Sequence, residues 1–323
     1  MELKRILVAI ADCEGKNTAA LDKAVALARQ GGTTITLFHS LYNPEIAGEG
    51  LLGPDMLERD IEAAVCARKE LLGKLARSLE RDGIRARVRV RWDYPVHESI
   101  VREVLREKSD LVVAESHRHT RLARAVLSNT DWQLIRLCPC PVLFVKTARP
   151  YDRARILAAV DPMHAHAKPA ALDADILTMA DALAKAFDGR LHAAHVYQFA
   201  TPFTSGVLME PVPLPVNVTE RQLERIRAEF DALIGKYRLP AGRRHLRAGS
   251  AALELVAIAE RIGAGVVVMG AISRRGLKRL FVGHTAERVI DRLPCDVLVL
   301  KPAGFRTPVP RRGSLRPVVL PPI

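Results

Sequence analysis

The sequence predicts an α/β protein made of two similar halves, each a five-stranded parallel sheet with helices on both faces. Three observations predict it. Short apolar runs such as 4–10 and 155–160 alternate with stretches whose apolar residues fall three and four apart. That is the pattern of buried strands between amphipathic helices. The chain also repeats itself: 295 − 140 = 155 separates Cys295 from Cys140, and this offset runs without a gap from Asp110 to Lys301. It pairs Leu122 with Leu277, Arg124 with Arg279, Thr130 with Thr285, Ile135 with Ile290 and Lys146 with Lys301. Lastly, 265–301 reads as strand, glycine-containing loop, helix, strand.

In the first half, 4–10 is a strand buried on both faces. A helix over 18–29 follows and stops at Gly31-Gly32. A second strand spans 34–41. The insert 42–54, rich in Gly and Pro, leads to a long charged helix over 55–81, a lid or a packing arm. In 84–92, Ala86, Val88, Val90 and Trp92 alternate with Arg85, Arg87, Arg89 and Arg91. This is a half-exposed strand. Its arginines either protect a sheet edge or form a phosphate-binding face. A helix over 97–108, a strand over 111–114, a polar loop, a helix near Thr130 and a strand over 142–146 complete the half.

The pattern restarts near 148–152, and RILAAV at 155–160 echoes RILVAI at 5–10. Leu172, Ile176, Met179, Leu183 and Phe187 form a helical stripe in 170–187. Strands at 191–197 and 244–248 flank a Pro-rich loop over 201–218 and a charged helix over 220–237. A helix over 251–262, a strand over 266–269, a helix with Thr285 as its cap and a strand over 297–300 close this half. The Pro- and Arg-rich segment after it reads as a mobile tail. The expected domains are 1–148 and 152–303, with a tail over 304–323.

The net charge of +13 is spread over both halves and the tail, not gathered in one nucleic-acid stripe. Aromatic residues are too scarce for a stacking platform, so nucleic acid is disfavoured. Five cysteines, few and odd in number, argue against a secreted disulfide framework. No apolar run reaches the ~18 residues of a membrane span. A cytoplasmic protein off the membrane is expected.

Ligands of such sheets bind beyond the carboxyl ends of the strands. In the second half, Gly270, Gly283 and Thr285 stand where backbone amides would hold a phosphate. Arg274, Arg275, Lys278 and Arg279 could neutralise it, and Asp161 could accept from a base or ribose. Each has a plainer role as a turn residue or a solvated charge. The offset puts Glu115 opposite Gly270, Arg118 opposite Ser273 and Ser128 opposite Gly283. The first half has lost these glycines, and a phosphate is not expected there.

The stretch Gly270-x-x-Ser273-x9-Gly283-His284 resembles the nucleotide-binding signature G-x-x-G-x9-G-[ST] of the universal stress protein family. Ser273 stands for the middle glycine and His284 for the Ser or Thr. Further pieces are Thr130-Asp131-Trp132, Arg136 to Pro139, Gly283 to Glu287, Val289 to Asp291 and the tail from Lys301-Pro302 to Val309. The similarity covers nearly the whole chain and is to the tandem, two-domain type.

The resemblance implies a flavodoxin-like or adenine-nucleotide α-hydrolase-like sheet of order 3-2-1-4-5. It implies ATP or another adenine nucleotide, with adenine near Asp161 and Val196 and the ribose and phosphates on the glycine loop. The implied binding set is Asp161, Val196, Gly270, Ser273, Arg274, Gly283, His284 and Thr285. It also implies association through last strands, 142–145 with 297–300 as an intramolecular pseudo-dimer, with a homodimer as a further option. The protein partners are unknown.

His117, His119, His164 and His166 lack the ligand spacing of a metal site, and none is expected. Cys138-Pro139-Cys140 reads as a buried helix–strand corner, with a redox pair as the alternative. No nucleophile–base pair stands out, so no enzyme is expected. The function read from the sequence is a stress-response protein binding a small anionic ligand in its second half. The alternative is an interaction scaffold with an apolar or acylated ligand, or an empty pocket.

Overall fold

A computed structural model describes residues 3–13, 18–43, 54–116, 128–163, 171–198, 216–271 and 284–313. The chain divides into two compact units, one of residues 1–151 joined by the segment after 303, the other of 152–303.

The first unit runs β1 (Arg5–Ala9), α1 (Ala19–Ala28), β2 (Thr34–Leu41), α2 (Pro54–Arg81), β3 (Arg85–Trp92), α3 (Val96–Glu107), β4 (Leu111–Glu115), α4 (Asn129–Leu137) and β5 (Val142–Val145). Its strands lie in the order β3-β2-β1-β4-β5, all parallel. The chain moves one way from β1 to β3, then crosses to β4 and β5 on the other side. With right-handed crossovers, α1 and α2 fall on one face and α3 and α4 on the other.

The central strands are apolar because both faces are covered. Ile6, Leu7, Val8, Val112 and Val113 have no exposed surface. Each such side chain contributes roughly 1.5–3 kcal/mol of burial. Thr18 caps α1 by accepting from the Leu21 amide at 3.3 Å. The long helix α2 packs along β3 and β2, as an arm and not a lid.

Three arginines of edge strand β3, Arg87, Arg89 and Arg91, face carboxylates of α3. Arg89 Nε donates to Glu107 at 2.8 Å and Arg91 Nε to Glu103 at 3.1 Å, while Arg87 lies 3.6 Å from Glu107. Glu103 is fully buried and also receives Arg106 at 3.1 Å. These guanidinium groups are therefore engaged within the unit.

The second unit runs β6 (Arg155–Ala159), α5 (Ala171–Ala186), β7 (Arg190–Tyr197), α6 (Val216–Ile234), β8 (Arg244–Ala248), α7 (Ala251–Ile262), β9 (Ala264–Gly270), α8 (His284–Arg292) and β10 (Asp296–Leu300). Short 3-10 turns at 235–237 and 241–243 join α6 to β8. The order β8-β7-β6-β9-β10 repeats that of the first unit, again all parallel. The backbone closing contact recurs too. His39 Nδ1 pairs with Ile10 O at 2.8 Å, and His195 Nδ1 with Val160 O at 3.1 Å.

Two expectations need correction. Helix α8 starts at His284, so Thr285 lies inside the first turn and is not its cap. Residues 304–313 are not a separate tail but group with the first unit. Val309 is buried there, and Gly313 packs against Asp93. An apolar side chain between prolines gains more from that contact than from solvent.

Candidate functional site

Parallel pairing aligns the carboxyl ends of β6, β7 and β9 in the second unit. Ala158 is in register with Val268, and Ala159 with Ala194. One residue further, Val160 N donates to Ala194 O at 2.9 Å. Asp161 therefore emerges from β6 beside Val196 of β7, close to where Gly270 ends β9.

Asp161 is held on both sides. Its backbone N–H donates to Asp173 Oδ1 at 3.0 Å, and its own Oδ1 lies 3.9 Å from His195 Nδ1. Asp173 has no exposed surface and His195 is 3% exposed. Sequence reading passed over both residues. The signal for Asp173 was a carboxylate interrupting the apolar stripe of α5; for His195, an imidazole in the run LHAAHVY. Val196 is half-buried, in register with Arg247 of β8.

Gly270 is tied to helix packing. A Cβ there would meet Leu172 Cδ2 at 2.7 Å and Ile176 Cδ1 at 3.3 Å. With a Cβ at this place the ends of both α5 side chains would have to shift. The next residue, Ala271, donates its N–H to Leu300 O at 2.9 Å and is buried.

His284 and Thr285 open α8, and their backbone places two amides of its first turn. Ser273, Arg274 and Gly283 lie outside the described residues, as do Arg275, Lys278 and Arg279. The four histidines weighed as metal ligands lie outside them as well. Among the described residues no group of three or more His, Cys, Asp or Glu could hold a metal ion. Two depressions of the surface lie in the first unit instead. One is on α2 beside Lys74, Arg77 and Arg81, and the other is where Thr34 meets Gly83 and Arg85. Their arginine and lysine rims are exposed, whereas the α/β topology favours the strand ends as a binding crevice.

At the equivalent place in the first unit, Glu115 ends β4. Ser128 caps α4 in a reciprocal pair with Asp131. Ser128 Oγ accepts from Asp131 N at 3.2 Å, and Asp131 Oδ2 accepts from Ser128 N at 2.8 Å. That helix start is closed by its own side chains.

No helix among the described residues is long and apolar enough to cross a membrane. The profile of the universal stress protein family matches residues 2–146 and again residues 153–301. The chain is 29% identical to universal stress protein E of Escherichia coli strain K12 over 311 residues, 96% of this chain and 98% of that protein. It is 27% identical to the universal stress protein E homolog of Haemophilus influenzae, over 94% of this chain and 99% of that one. Among solved structures, a putative universal stress protein from Pseudomonas aeruginosa UCBPP-PA14 is similar, at TM-score 0.73 and 27% identity over 93% of this chain and 94% of that one. A universal stress protein from Archaeoglobus fulgidus shares the fold at TM-score 0.62 and 18% identity, over 93% of this chain and 99% of that one. Two copies of one domain in tandem, each with the strand order 3-2-1-4-5, place this chain in the universal stress protein family, and with it among the proteins of the stress response.

Proposed function

We propose that the second domain binds a small anionic ligand, an adenine nucleotide or a similar molecule, without turning it over, and that the protein acts through partner proteins. One comparison carries this reading. Helix α4 is capped by Ser128 and Asp131. The repeat offset puts Gly283 and Ala286 in those two places before and within α8. Neither has a polar side chain. The first amides of α8 therefore lack that pair of caps and keep their positive partial charge for a ligand.

On this reading the phosphates rest on the amides of Gly283, His284 and Thr285. Arg274 neutralises them, and the His284 ring adds an N–H donor. The ribose lies toward Gly270 and Ser273, and the base toward Asp161 and Val196. Calorimetry of the full chain with ATP, ADP and AMP tests it. Heat of binding is expected for at least one nucleotide and should fall away in Gly283→Asp. A flat titration of the unaltered chain rejects nucleotide binding.

Gly270 favours a second reading. The space its missing Cβ leaves is taken by Leu172 and Ile176, so this glycine has a packing reason of its own. The protein would then be an interaction scaffold, its pocket empty or holding an apolar or acylated ligand. Mass spectrometry of gently purified protein separates the two. A co-purified nucleotide supports the first reading; a lipid or no small molecule supports the second.

A further inference from the structure

We infer that Cys138 and Cys140 are a dithiol that closes to an intramolecular disulfide when the chain meets a low-molecular-weight disulfide. The two Sγ atoms lie 3.7 Å apart, in hydrogen-bonding contact. A disulfide needs them at about 2.05 Å, so the two sulfurs have less than about 2 Å to close. The two residues stand at the corner where α4 hands over to β5. Cys138 ends the helix in an extended conformation, with its N–H bonded to Leu134 O at 2.9 Å. It is fully buried, whereas Cys140 is half-buried and keeps some contact with solvent. Cys140 therefore meets the reagent first, and Cys138 resolves the adduct.

The other copy lacks the pair. At the same corner the second unit has Leu293-Pro294-Cys295, a single buried thiol. Packing alone is thus met by leucine at the position of Cys138. Cys66, exposed on α2, is the third kind of site, an accessible thiol with a helix around it.

The exchange balances. The Cys140 thiolate attacks one sulfur of the reagent RSSR and displaces RS⁻, leaving a mixed disulfide. The Cys138 thiolate then attacks the Cys140 sulfur and displaces the second RS⁻. Both thiol protons end on the released thiols, giving two RSH. The protein loses two electrons and the reagent gains them. The hydrogen bond to Cys138 and then burial push the Cys140 thiol well above its ordinary range. Thiolate is scarce at neutral pH, so the first attack is slow and quickens as pH rises.

The test uses the full chain, reduced and then exposed to oxidised glutathione. Free thiols are alkylated and the protein is digested with trypsin. Both cysteines fall in one fragment, Leu137 to Lys146, which contains no other cysteine. The fragment is expected unalkylated and lighter by two hydrogens. Its rate of formation should rise about tenfold per pH unit below the thiol pKa. In Cys138→Ser the fragment should instead carry glutathione on Cys140, and Cys140→Ser should give neither product. The inference is overturned if the unaltered chain keeps both sites alkylated while Cys66 reacts. It is equally overturned if Cys140 holds a lasting glutathione adduct with Cys138 present.

Discussion

Arg102 and Asp93 meet in a two-pronged ion pair: Nε donates to Oδ2 and Nη2 to Oδ1, each at 2.8 Å. The arginine side chain is 1% exposed. Its Nη1 donates to Glu98 at 2.9 Å, and Nη2 also reaches Tyr94 O at 3.3 Å. Burial alone would lower the guanidinium pKa, but bonds and charge from Asp93 and Glu98 outweigh it and leave it raised. The cluster fixes the end of β3 to the start of α3, and Gly313 lies against it.

Removing one partner should therefore cost more than removing the charge. Asp93→Ala leaves a buried guanidinium with half its partners and should lose about 3–5 kcal/mol. Arg102→Met keeps the volume and leaves carboxylates that are 13% and 32% exposed, better reached by water than the 1% exposed guanidinium, and should cost clearly less. Urea unfolding of the full chain, followed in the first unit, measures both. Equal losses would show that the volume of the side chain matters and the pairing does not.

A second pair gives the protein an acid limit. His192 and His245 stack at 5.3 Å with planes 6° apart, and His192 Nδ1 lies 3.1 Å from His245 Nε2. Arg261 Nη2 is 3.3 Å from His245 Nδ1. Arginine only donates, so His245 accepts there and passes its Nε2–H to His192. Burial, then neighbouring positive groups, bring both rings down to about 4. The folded state thus keeps them neutral, while the unfolded chain takes up protons near 6.5. Their contribution is complete above that value and is lost as pH falls toward 4. The urea midpoint of the second unit should drop across this window, and His192→Gln should flatten the slope. An unchanged slope would assign the acid sensitivity to other groups.

The helix-start comparison can be reversed. Gly283→Ser with Ala286→Asp transplants the Ser128–Asp131 arrangement into the second unit. The double variant should gain about 0.5–2 kcal/mol of stability and lose any nucleotide heat seen with the unaltered chain. Increased stability with undiminished binding would move the ligand away from α8.

Gly189 tests the packing of the repeat. A Cβ there would run into the carbonyl oxygen of Ala154, which already accepts the Arg190 N–H at 3.0 Å. Backbone cannot rotate away as a side chain can, so Gly189→Ala should cost about 1–3 kcal/mol. Gly235, with open space around it, is the control, and Gly235→Ala should be close to neutral. Thermal unfolding compares the two, and similar melting temperatures would remove the steric argument.

The order of elements and the doubling were legible in the sequence, because burial on both faces writes continuous apolar runs and the offset of 155 copies them. The split between a capped and an uncapped helix start was legible too, since Ser128, Asp131, Gly283 and Ala286 are read by identity alone. Helix α8 begins two residues earlier than a cap at Thr285 implies, with His284 as its first residue.

What the sequence by itself determined is the local pattern: which stretches are strands, which are helices, and that the design is used twice. Tertiary structure alone decided the partners. It gave three of the β3 arginines to Glu103 and Glu107, brought Asp173 and His195 around Asp161, set Gly270 against Leu172, and folded 304–313 onto the first unit. The reason is physical. Periodicity fixes the face on which a residue lies, whereas a charge or an empty Cβ position acquires its meaning from whichever distant segment is packed against it.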